Sequence, residues 1–166
     1  MSTQHVHERA AGTGLTEITV RPVGVVAGGR HEIKEDDWAS ETARIVLDHN
    51  LFDPEATLGL KAFSHLEVVY YFHLSNRERH GAAHPRSNPA WPRVGIFADR
   101  TPHRPNHIGV SRCELIAVSQ LELTVRGLDA VDGSPILDIK PYIEEFGPLG
   151  PVREPAWIRE LVRTYY

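Results

Sequence analysis

Apolar and polar residues alternate along several short stretches of this chain, and turn-forming residues separate the stretches. In residues 121–128, apolar side chains alternate with Glu122, Thr124 and Arg126, which is the pattern of a strand with one buried face. The strongest apolar run, residues 66–74, is rich in β-branched and aromatic side chains and indicates a buried strand. Further strands are predicted at residues 16–27, 44–47, 94–97, 109–119 and 135–139. Many short strands without intervening long helices predict an all-β fold, a barrel or a sandwich, with minor helices.

Helical spacing of apolar residues is confined to the end of the chain. The positions with this spacing are Trp157, Ile158, Leu161, Val162 and Tyr165. We therefore expect an amphipathic helix over residues 155–165, docked on the domain or on a partner. A helical turn is predicted at residues 35–39 and a long irregular loop at 80–92. The expected organisation is a flexible tail over residues 1–14, one domain over 15–146 and a helical tail over 147–166.

The composition is that of a soluble globular protein with one domain. The 166 residues carry a net charge of −4. No apolar run approaches the roughly 20 residues of a membrane-spanning helix. The polar N-terminus is unlike a signal peptide, so a cytoplasmic protein is expected. The single cysteine, Cys113, excludes an intrachain disulfide and a thiolate metal cluster, and its place in a predicted strand indicates packing.

Positive charge is concentrated in one segment of the sequence. Residues 77–104 hold six arginines and two acidic residues, whereas the rest of the chain is acidic. This pattern predicts a basic face for a phosphate backbone or another anionic ligand, with binding that weakens as the salt concentration rises. The alternative is that these arginines pair with acidic residues elsewhere in the fold.

Residues 94–111 contain a short apolar strand followed by a loop that is dense in polar side chains. Pro102 and Pro105 restrict the backbone of this loop. The loop can present donors in fixed directions from Arg100, His103, Arg104 and Asn106. Arginine forms two parallel hydrogen bonds with a carboxylate or a phosphate, so the loop suits an anionic ligand. An ordinary solvated loop has a similar composition and is the alternative.

Several enzyme classes lack their motifs in this chain. It contains neither the glycine pattern of dinucleotide-binding folds, nor that of P-loop proteins, nor a G-x-S-x-G nucleophile elbow. Two pairs of histidines four residues apart have the spacing of metal ligands on a helix. Because prolines and a glycine flank these pairs, no helix and no metal site are predicted there. The histidines of this region are His73, His80, His84, His103 and His107.

Three separate blocks of the sequence, taken in order, are similar to one known family. They comprise residues 63–73, 95–111 and 128–142. These blocks resemble the TrmO (TsaA-like) family of S-adenosylmethionine-dependent methyltransferases, which act on threonylcarbamoyladenosine next to the anticodon of tRNA. The resemblance covers residues 16–142. It implies a small antiparallel β-barrel that binds its cofactor near a homodimer interface, with tRNA as the partner of the basic segment 77–104.

The resemblance also implies which residues contact S-adenosylmethionine. They are Asp37, Trp38, Phe72, His73, Arg104, Glu114, Leu115, Asp132, Gly133, Ser134 and Pro135. Arg104 can hold the methionine carboxylate, a carboxylate can accept from the ribose hydroxyls or the ammonium, and an aromatic ring can lie against adenine or the sulfonium. As alternatives, Asp132 and Gly133 would also form a hairpin turn, and Phe72 would also suit the core.

Methyl transfer from a sulfonium is an in-line displacement and requires no metal. The protein must align the acceptor nitrogen, exclude water and take up a proton. We hypothesise that Arg100, Asn106, Lys140 and Tyr142 shape the acceptor side. Asp138 is then a proton acceptor or orients Lys140.

The chain departs from the family pattern at three points. His107 stands where a proline is usual, Asp99 stands where a threonine is commoner, and the early loop lacks the usual Pro-Arg-Gln type of sequence. In addition, one helix follows the last block where longer members carry a further domain. Alternatives to the tRNA reaction are therefore kept. They are methylation of a small molecule or another RNA, and a non-catalytic barrel that binds nucleotides or RNA. A metal-dependent hydrolase is the weakest alternative.

Overall fold

A computed structural model describes residues 16–166 of the chain and shows a mostly β fold. The strands are β1 (Gly24–Ala27), β2 (Thr42–Leu47), β3 (His65–Tyr71), β4 (Ala82–Ala83), β5 (Val94–Gly95), β6 (Ile108–Ser119), β7 (Glu122–Arg126) and β8 (Pro135–Pro141). Six of them close an antiparallel barrel in the order β1-β2-β7-β6-β3-β8, with β8 paired back onto β1. Strands β4 and β5 form a separate two-stranded sheet. The prediction of an all-β barrel is confirmed.

The barrel interior is filled by the apolar residues that alternate along the strands. In β3, Leu66, Val68 and Tyr70 are at most 1% exposed, and the residues between them face outward. In β7, Leu123 and Val125 are fully buried in the same way. The other members of this core are Val26, Ala43, Ile45, Cys113, Val118, Leu128, Ala130 and Ile136. Period-two patterning therefore predicted which side of each strand faces the core.

Two residues of β6 show how tightly the interior is filled. A Cβ on Gly109 would lie 2.5 Å from the ring of Tyr70, so only a glycine allows this ring to lie across the strand. Cys113 is 2% exposed, and burial raises the pKa of its thiol to about 12. The predicted packing role of this cysteine is confirmed.

Four local predictions are wrong. The strand predicted at 16–27 begins at Gly24, where the pairing with both β2 and β8 starts. Residues 94–97 form a strand only at Val94–Gly95, because a 3-10 turn follows at Ile96–Ala98. No helical turn forms at 35–39, since Asp37 adopts a φ of 62°, which a right-handed helix does not tolerate. The loop at 80–92 contains β4 and a 3-10 turn.

The predicted helix is present but shorter than expected. Helix α1 spans Ala156–Val162, and residues 163–165 follow it as hydrogen-bonded turns. The ring of Trp157 lies 6.2 Å from that of Trp91, so the helix docks on its own chain. No helix within residues 16–166 is long and apolar enough to cross a membrane. The predicted tail at 1–14 lies outside the described residues.

The strand order brings three connections to one end of the barrel. Neighbouring antiparallel strands run in opposite directions, so the β1–β2, β3–β6 and β7–β8 connections leave from the same end. These connections are residues 28–41, 72–107 and 127–134. We call this end of the barrel the loop end.

Candidate functional site

Asp132 joins the first and third connections of the loop end. Its Oδ1 accepts a hydrogen bond from the backbone N–H of Gly28 at 2.6 Å, and its Oδ2 lies 3.4 Å from Nδ1 of His31. The N–H of Asp132 donates to the carbonyl of Arg30 at 2.8 Å. Gly28 has a φ of 74°, which a glycine adopts without strain. Oδ1 of Asp132 therefore holds the two connections together, and Oδ2 faces a largely exposed histidine.

His73 and Ser134 link the second connection to the third. Ser134 is 1% exposed, and its Oγ lies 3.3 Å from Nδ1 of His73. Gly133 has a φ of 79°, and a Cβ there would lie 3.6 Å from Nε2 of the same histidine. Phe72 is half-buried and packs edge-on against Tyr70, with ring centroids 5.0 Å apart. An aromatic ring, an imidazole and a glycine thus border one surface.

Arg30, which the sequence analysis did not select, organises the loop that holds Asp37 and Trp38. Its guanidinium lies 4.1 Å from the centroid of the Trp38 ring. It also donates to the carbonyls of Asp36 and Asp37 at 2.7 and 2.9 Å. Trp38 is 5% exposed, so its ring stabilises the loop from inside. Asp37 is exposed and pairs with Lys34.

Arg104 and Asn106 belong to a tight turn of the second connection. Asn106 and His107 have positive φ values of 62° and 48°, and the N–H of His107 donates to the carbonyl of Arg104 at 3.1 Å. The carbonyl of His107 accepts from the N–H of Phe72 at 2.8 Å, which fixes this turn beside the Phe72 surface. Arg104 donates to the carbonyl of Asp99 at 3.0 Å. Its positive charge faces no carboxylate partner within residues 16–166.

A carboxylate that sequence reasoning missed lies in the third connection. Asp129 accepts from the hydroxyl of Tyr70 at 3.0 Å on Oδ1 and from the hydroxyl of Tyr165 on Oδ2. Burial, followed by the charge of Asp129, raises the pKa of both tyrosines, so both hydroxyls stay protonated. The position of Tyr70 in the sequence indicates such a group, because the hydroxyl of an inward-facing tyrosine needs a buried hydrogen-bond partner.

A family model described as the tRNA-methyltransferase O N-terminal domain matches residues 34–147. This chain belongs to that family. A probable S-adenosyl-L-methionine-binding protein of Methanothermobacter thermautotrophicus is 40% identical over 141 residues, which make up 81% of this chain and 96% of that protein. A tRNA (adenine(37)-N6)-methyltransferase of Escherichia coli is 40% identical over 97 residues, or 54% of this chain.

A crystal structure of TrmO from Pseudomonas aeruginosa has the same fold. It is 28% identical to this chain and superposes with a TM-score of 0.68 over 82% of this chain and 61% of that chain. The match covers 40% of the Escherichia coli enzyme and 23% of the tRNA (adenine(37)-N6)-methyltransferase of Mus musculus. The chain thus spans less than half of the curated methyltransferases named here and nearly all of the Methanothermobacter protein.

In this TrmO-family chain, four other predicted site residues lie along the outer wall of the barrel, and they are Glu114, Asp138, Lys140 and Tyr142. Asp138 and Lys140 form an ion pair on β8, and the guanidinium of Arg112 lies 5.4 Å from the ring of Tyr142. Glu114, on β6, pairs with an arginine of β7. One chain therefore does not bring these side chains to the loop end.

Two further predicted cofactor residues occupy different parts of the barrel. Leu115 borders a β-bulge of β6 and lines a shallow hollow with Lys61 and Phe63, at the end opposite the loop end. Pro135 begins β8 and pairs with Val25 of β1, so it adjoins the loop end.

The arginines of the basic segment divide into two groups. Arg79 pairs with Asp99 at 2.5 Å, and Arg86 pairs with Asp36 at 2.8 Å and with a neighbouring glutamate. Both therefore hold the loops together, as the alternative for this segment predicted. The other arginines have no carboxylate partner within the described part of the chain, and they are Arg77, Arg93, Arg100 and Arg104. For these four, the basic face that binds an anionic ligand stays a prediction.

The histidines of the second connection act as loop ties. His103 bonds Ser75 at 2.8 Å, and His107 bonds the carbonyl of Arg77 at 3.0 Å. Burial, followed by nearby positive charges, lowers the pKa of His103. Within residues 16–166, no three His, Cys, Asp or Glu side chains are grouped so as to hold a metal ion.

Proposed function

We propose that this chain is an S-adenosylmethionine-dependent methyltransferase that modifies an adenine of tRNA. Its proposed target is the exocyclic nitrogen of threonylcarbamoyladenosine next to the anticodon. The observation that carries the proposal is the meeting of three connections at the loop end, each with predicted cofactor contacts. Family membership and the names of two relatives support the cofactor and the reaction. The threonylcarbamoyl group rests on the resemblance of the sequence blocks.

The side chains at the loop end fit S-adenosylmethionine by their chemistry. The guanidinium of Arg104 suits the methionine carboxylate. The carboxylate of Asp132 suits the ribose hydroxyls or the ammonium, and the rings of Phe72 and His73 suit adenine or the sulfonium. Gly133 lacks a side chain that would cover His73, so this edge of the imidazole stays open to a ligand.

The remaining proposed contacts act in different ways. Asp37 is exposed and can meet a ligand directly, whereas the buried Trp38 supports its loop. Ser134 orients His73 through its hydroxyl. Pro135 fixes the backbone at the start of β8. Glu114 and Leu115 lie on the wall of the barrel, and we place their contact on the side of the site that a second copy would complete.

When bound, S-adenosylmethionine would supply an activated methyl group for in-line transfer to a nitrogen, with the C–S bond broken and S-adenosylhomocysteine as the leaving group. The chain must orient that nitrogen, exclude water and accept the proton that the nitrogen loses. Arg100 and Asn106, at the loop end, are proposed to orient the acceptor. Asp138, with Lys140 and Tyr142, is proposed to receive the proton or to hold Lys140 in place.

A second copy of the chain is the proposed partner. The reason is an apolar strip on the barrel wall, which lies between the site residues of the loop end and those of the outer wall. Val69 pairs with Val110, and Tyr71 pairs with Ile108, across β3 and β6. Tyr71, Ile108 and Val110 are 37–39% exposed, and Asp138 adjoins the strip beside Val69. Sedimentation velocity is expected to give a dimer, and Val110→Asp is expected to give monomers. A monomeric wild type would refute the dimer.

The proposed contact with tRNA uses the arginines that no carboxylate neutralises. Arg77, Arg93 and Arg100 are exposed, and each phosphate contact adds roughly one to the slope of log affinity against log salt. Binding of tRNA is expected to lose about one unit of slope in Arg77→Gln. Lys61→Gln, at the opposite end of the barrel, is the matched control and is expected to keep the full slope.

Calorimetry tests the cofactor part of the proposal. Wild type is expected to bind S-adenosylmethionine, and Asp132→Asn is expected to weaken binding about tenfold, since it removes a charge-assisted hydrogen bond. Glu122→Gln makes the same change of carboxylate to amide on the outer wall, where Glu122 pairs with Arg44. It is expected to bind like wild type. Absence of binding by wild type would refute the proposed function.

Transfer of a labelled methyl group tests the acceptor. We expect label in tRNA that carries the threonylcarbamoyl group and none in tRNA that lacks it. Equal label in both would refute the assigned acceptor but keep tRNA as the substrate. Bound cofactor with no label in either would contradict a tRNA substrate and favour another acceptor.

A further inference from the structure

Residues 163–166 form a tail that lies against the loop end. The carbonyls of Thr164 and Tyr165 accept hydrogen bonds from the backbone N–H groups of Asp37 and Trp38 at 2.8 and 2.9 Å. The tail and the first connection are therefore joined through two successive backbone bonds. Asp37, at the centre of this contact, has a φ of 62°, so the tail is bonded to the strained part of the loop.

Tyr165 also reaches the third connection. Its hydroxyl donates to Oδ2 of Asp129, whose Oδ1 accepts from Tyr70 at 3.0 Å. The ring of Tyr70 in turn packs on Phe72, at 5.0 Å between centroids. One residue of the tail thus contacts two connections directly and the start of the second through Tyr70.

Helix α1 fixes the position from which the tail departs. The indole Nε1 of Trp91 donates to Glu160 at 2.9 Å, and the rings of Trp91 and Trp157 are tilted against each other at 6.2 Å. The helix is therefore docked on the second connection. The chain then continues from this anchor to the other two connections.

We propose that Tyr165 is a positioning residue for the cofactor side of the site, where it holds Asp129 and the Asp37-Trp38 segment in the arrangement that binds the ligand. The identity of that ligand, S-adenosylmethionine, rests on the proposed function. None of the residues 163–166 belongs to the barrel core. Loss of the Tyr165 contact is therefore expected to lower ligand affinity more than the stability of the fold.

Tyr165→Phe removes the hydroxyl and keeps the ring and the backbone bonds. Because a hydrogen bond to a charged group is stronger than one between neutral groups and this contact is only partly buried, we expect the Kd for S-adenosylmethionine to rise about five- to tenfold. The kcat at saturating cofactor is expected to stay within about twofold, since the group acts on binding. Hydrogen exchange at the amides of Asp37 and Trp38 is expected to become faster.

Two further variants separate positioning from a general effect on structure. Tyr166→Phe removes the phenol hydroxyl of the next residue, which faces Ser111 and makes no hydrogen bond to the Asp129 carboxylate within the described residues, and is the matched control. It is expected to keep the wild-type Kd and exchange rates. Asp129→Asn alters the acceptor of the same contact, so the double variant with Tyr165→Phe is expected to bind no more weakly than Asp129→Asn alone.

The outcomes distinguish this inference from the proposed function. If wild type binds S-adenosylmethionine and Tyr165→Phe binds equally well with unchanged exchange, the positioning role is refuted. If wild type binds no S-adenosylmethionine, the proposed function fails, and the exchange data alone test whether Tyr165 positions the loop. Faster exchange at Asp37 and Trp38 then supports the coupling of tail and loop, and unchanged exchange overturns it.

Discussion

His107 provides a test of backbone conformation, because the resemblance of the sequence to the TrmO family predicts a proline at this position. In the structure His107 adopts a φ of 48°, whereas a proline ring fixes φ near −65°. The N–H of His107 donates to the carbonyl of Arg104 at 3.1 Å, and a proline has no N–H to donate. We therefore predict that His107→Pro destabilises this protein, although proline is the residue that the resemblance predicts.

The expected magnitude has two parts. The imidazole is 12% exposed, bonds the carbonyl of Arg77 at 3.0 Å and packs edge-on on Tyr71 at 5.8 Å, so its loss costs about 1–2 kcal/mol. The backbone conflict adds about 3 kcal/mol. His107→Gly loses the same ring contacts but tolerates the positive φ, which makes it the matched control.

Urea denaturation followed by circular dichroism measures both variants at one pH. The free energy of unfolding is expected to fall by about 1–2 kcal/mol in His107→Gly and by about 4–5 kcal/mol in His107→Pro. If the proline variant is as stable as the glycine variant, the positive φ at this position is refuted. A proline variant more stable than wild type would mean that the whole turn is different.

Three further predictions concern the core and the titrating groups of the loops. Gly109→Ala places a Cβ 2.5 Å from the Tyr70 ring and is expected to lower the free energy of unfolding by about 1–3 kcal/mol; an unchanged Tm would contradict the packing. Burial is the main reason that the pKa of His103 lies below its ordinary 6.5. The stability that the neutral His103 side chain contributes to the fold is therefore present above pH 6.5 and is lost as the pH falls. Urea midpoints at pH 7.5 and 5.5 are expected to differ more in wild type than in His103→Asn, and equal differences would contradict this. The hydrogen bond from Arg86 lowers the pKa of Asp36 below 3.8. The stability that this pair adds above pH 3.8 is therefore expected to be lost as the pH falls through the lowered pKa. If Asp36→Asn leaves the dependence of stability on pH unchanged, the pairing is refuted.

The sequence was sufficient for the barrel because its strands are amphipathic. Each inward position of β3 and β7 is apolar and each outward position is more polar or less buried, so local pattern and tertiary packing agree. The failures lie where the backbone leaves regular geometry. Asp37 has a positive φ, and no local composition requires an aspartate to adopt it. Val94–Gly95 is a strand only because β4 lies beside it.

Part of the candidate site could be predicted from the sequence, because its motif blocks lie in the connections that the strand order brings together. Asp132, His73 and Arg104 were selected in this way. Arg30 and Tyr165 were missed because their contacts join segments that are distant in sequence, such as the 36 residues between Tyr165 and Asp129. Only the fold shows that these segments meet.

Asp99 and His107, the two residues at which the resemblance predicts a different side chain, are connected in the structure. Asp99 pairs with Arg79 at 2.5 Å, and His107 bonds the carbonyl of Arg77 at 3.0 Å. Both contacts tie residues 77–79 to the turn that carries Arg104. The carboxylate of Asp99 and the imidazole of His107 therefore support the same loop from two sides. Since neither change replaces a proposed ligand contact, these departures alter how the turn is held and leave the proposed chemistry of the site intact.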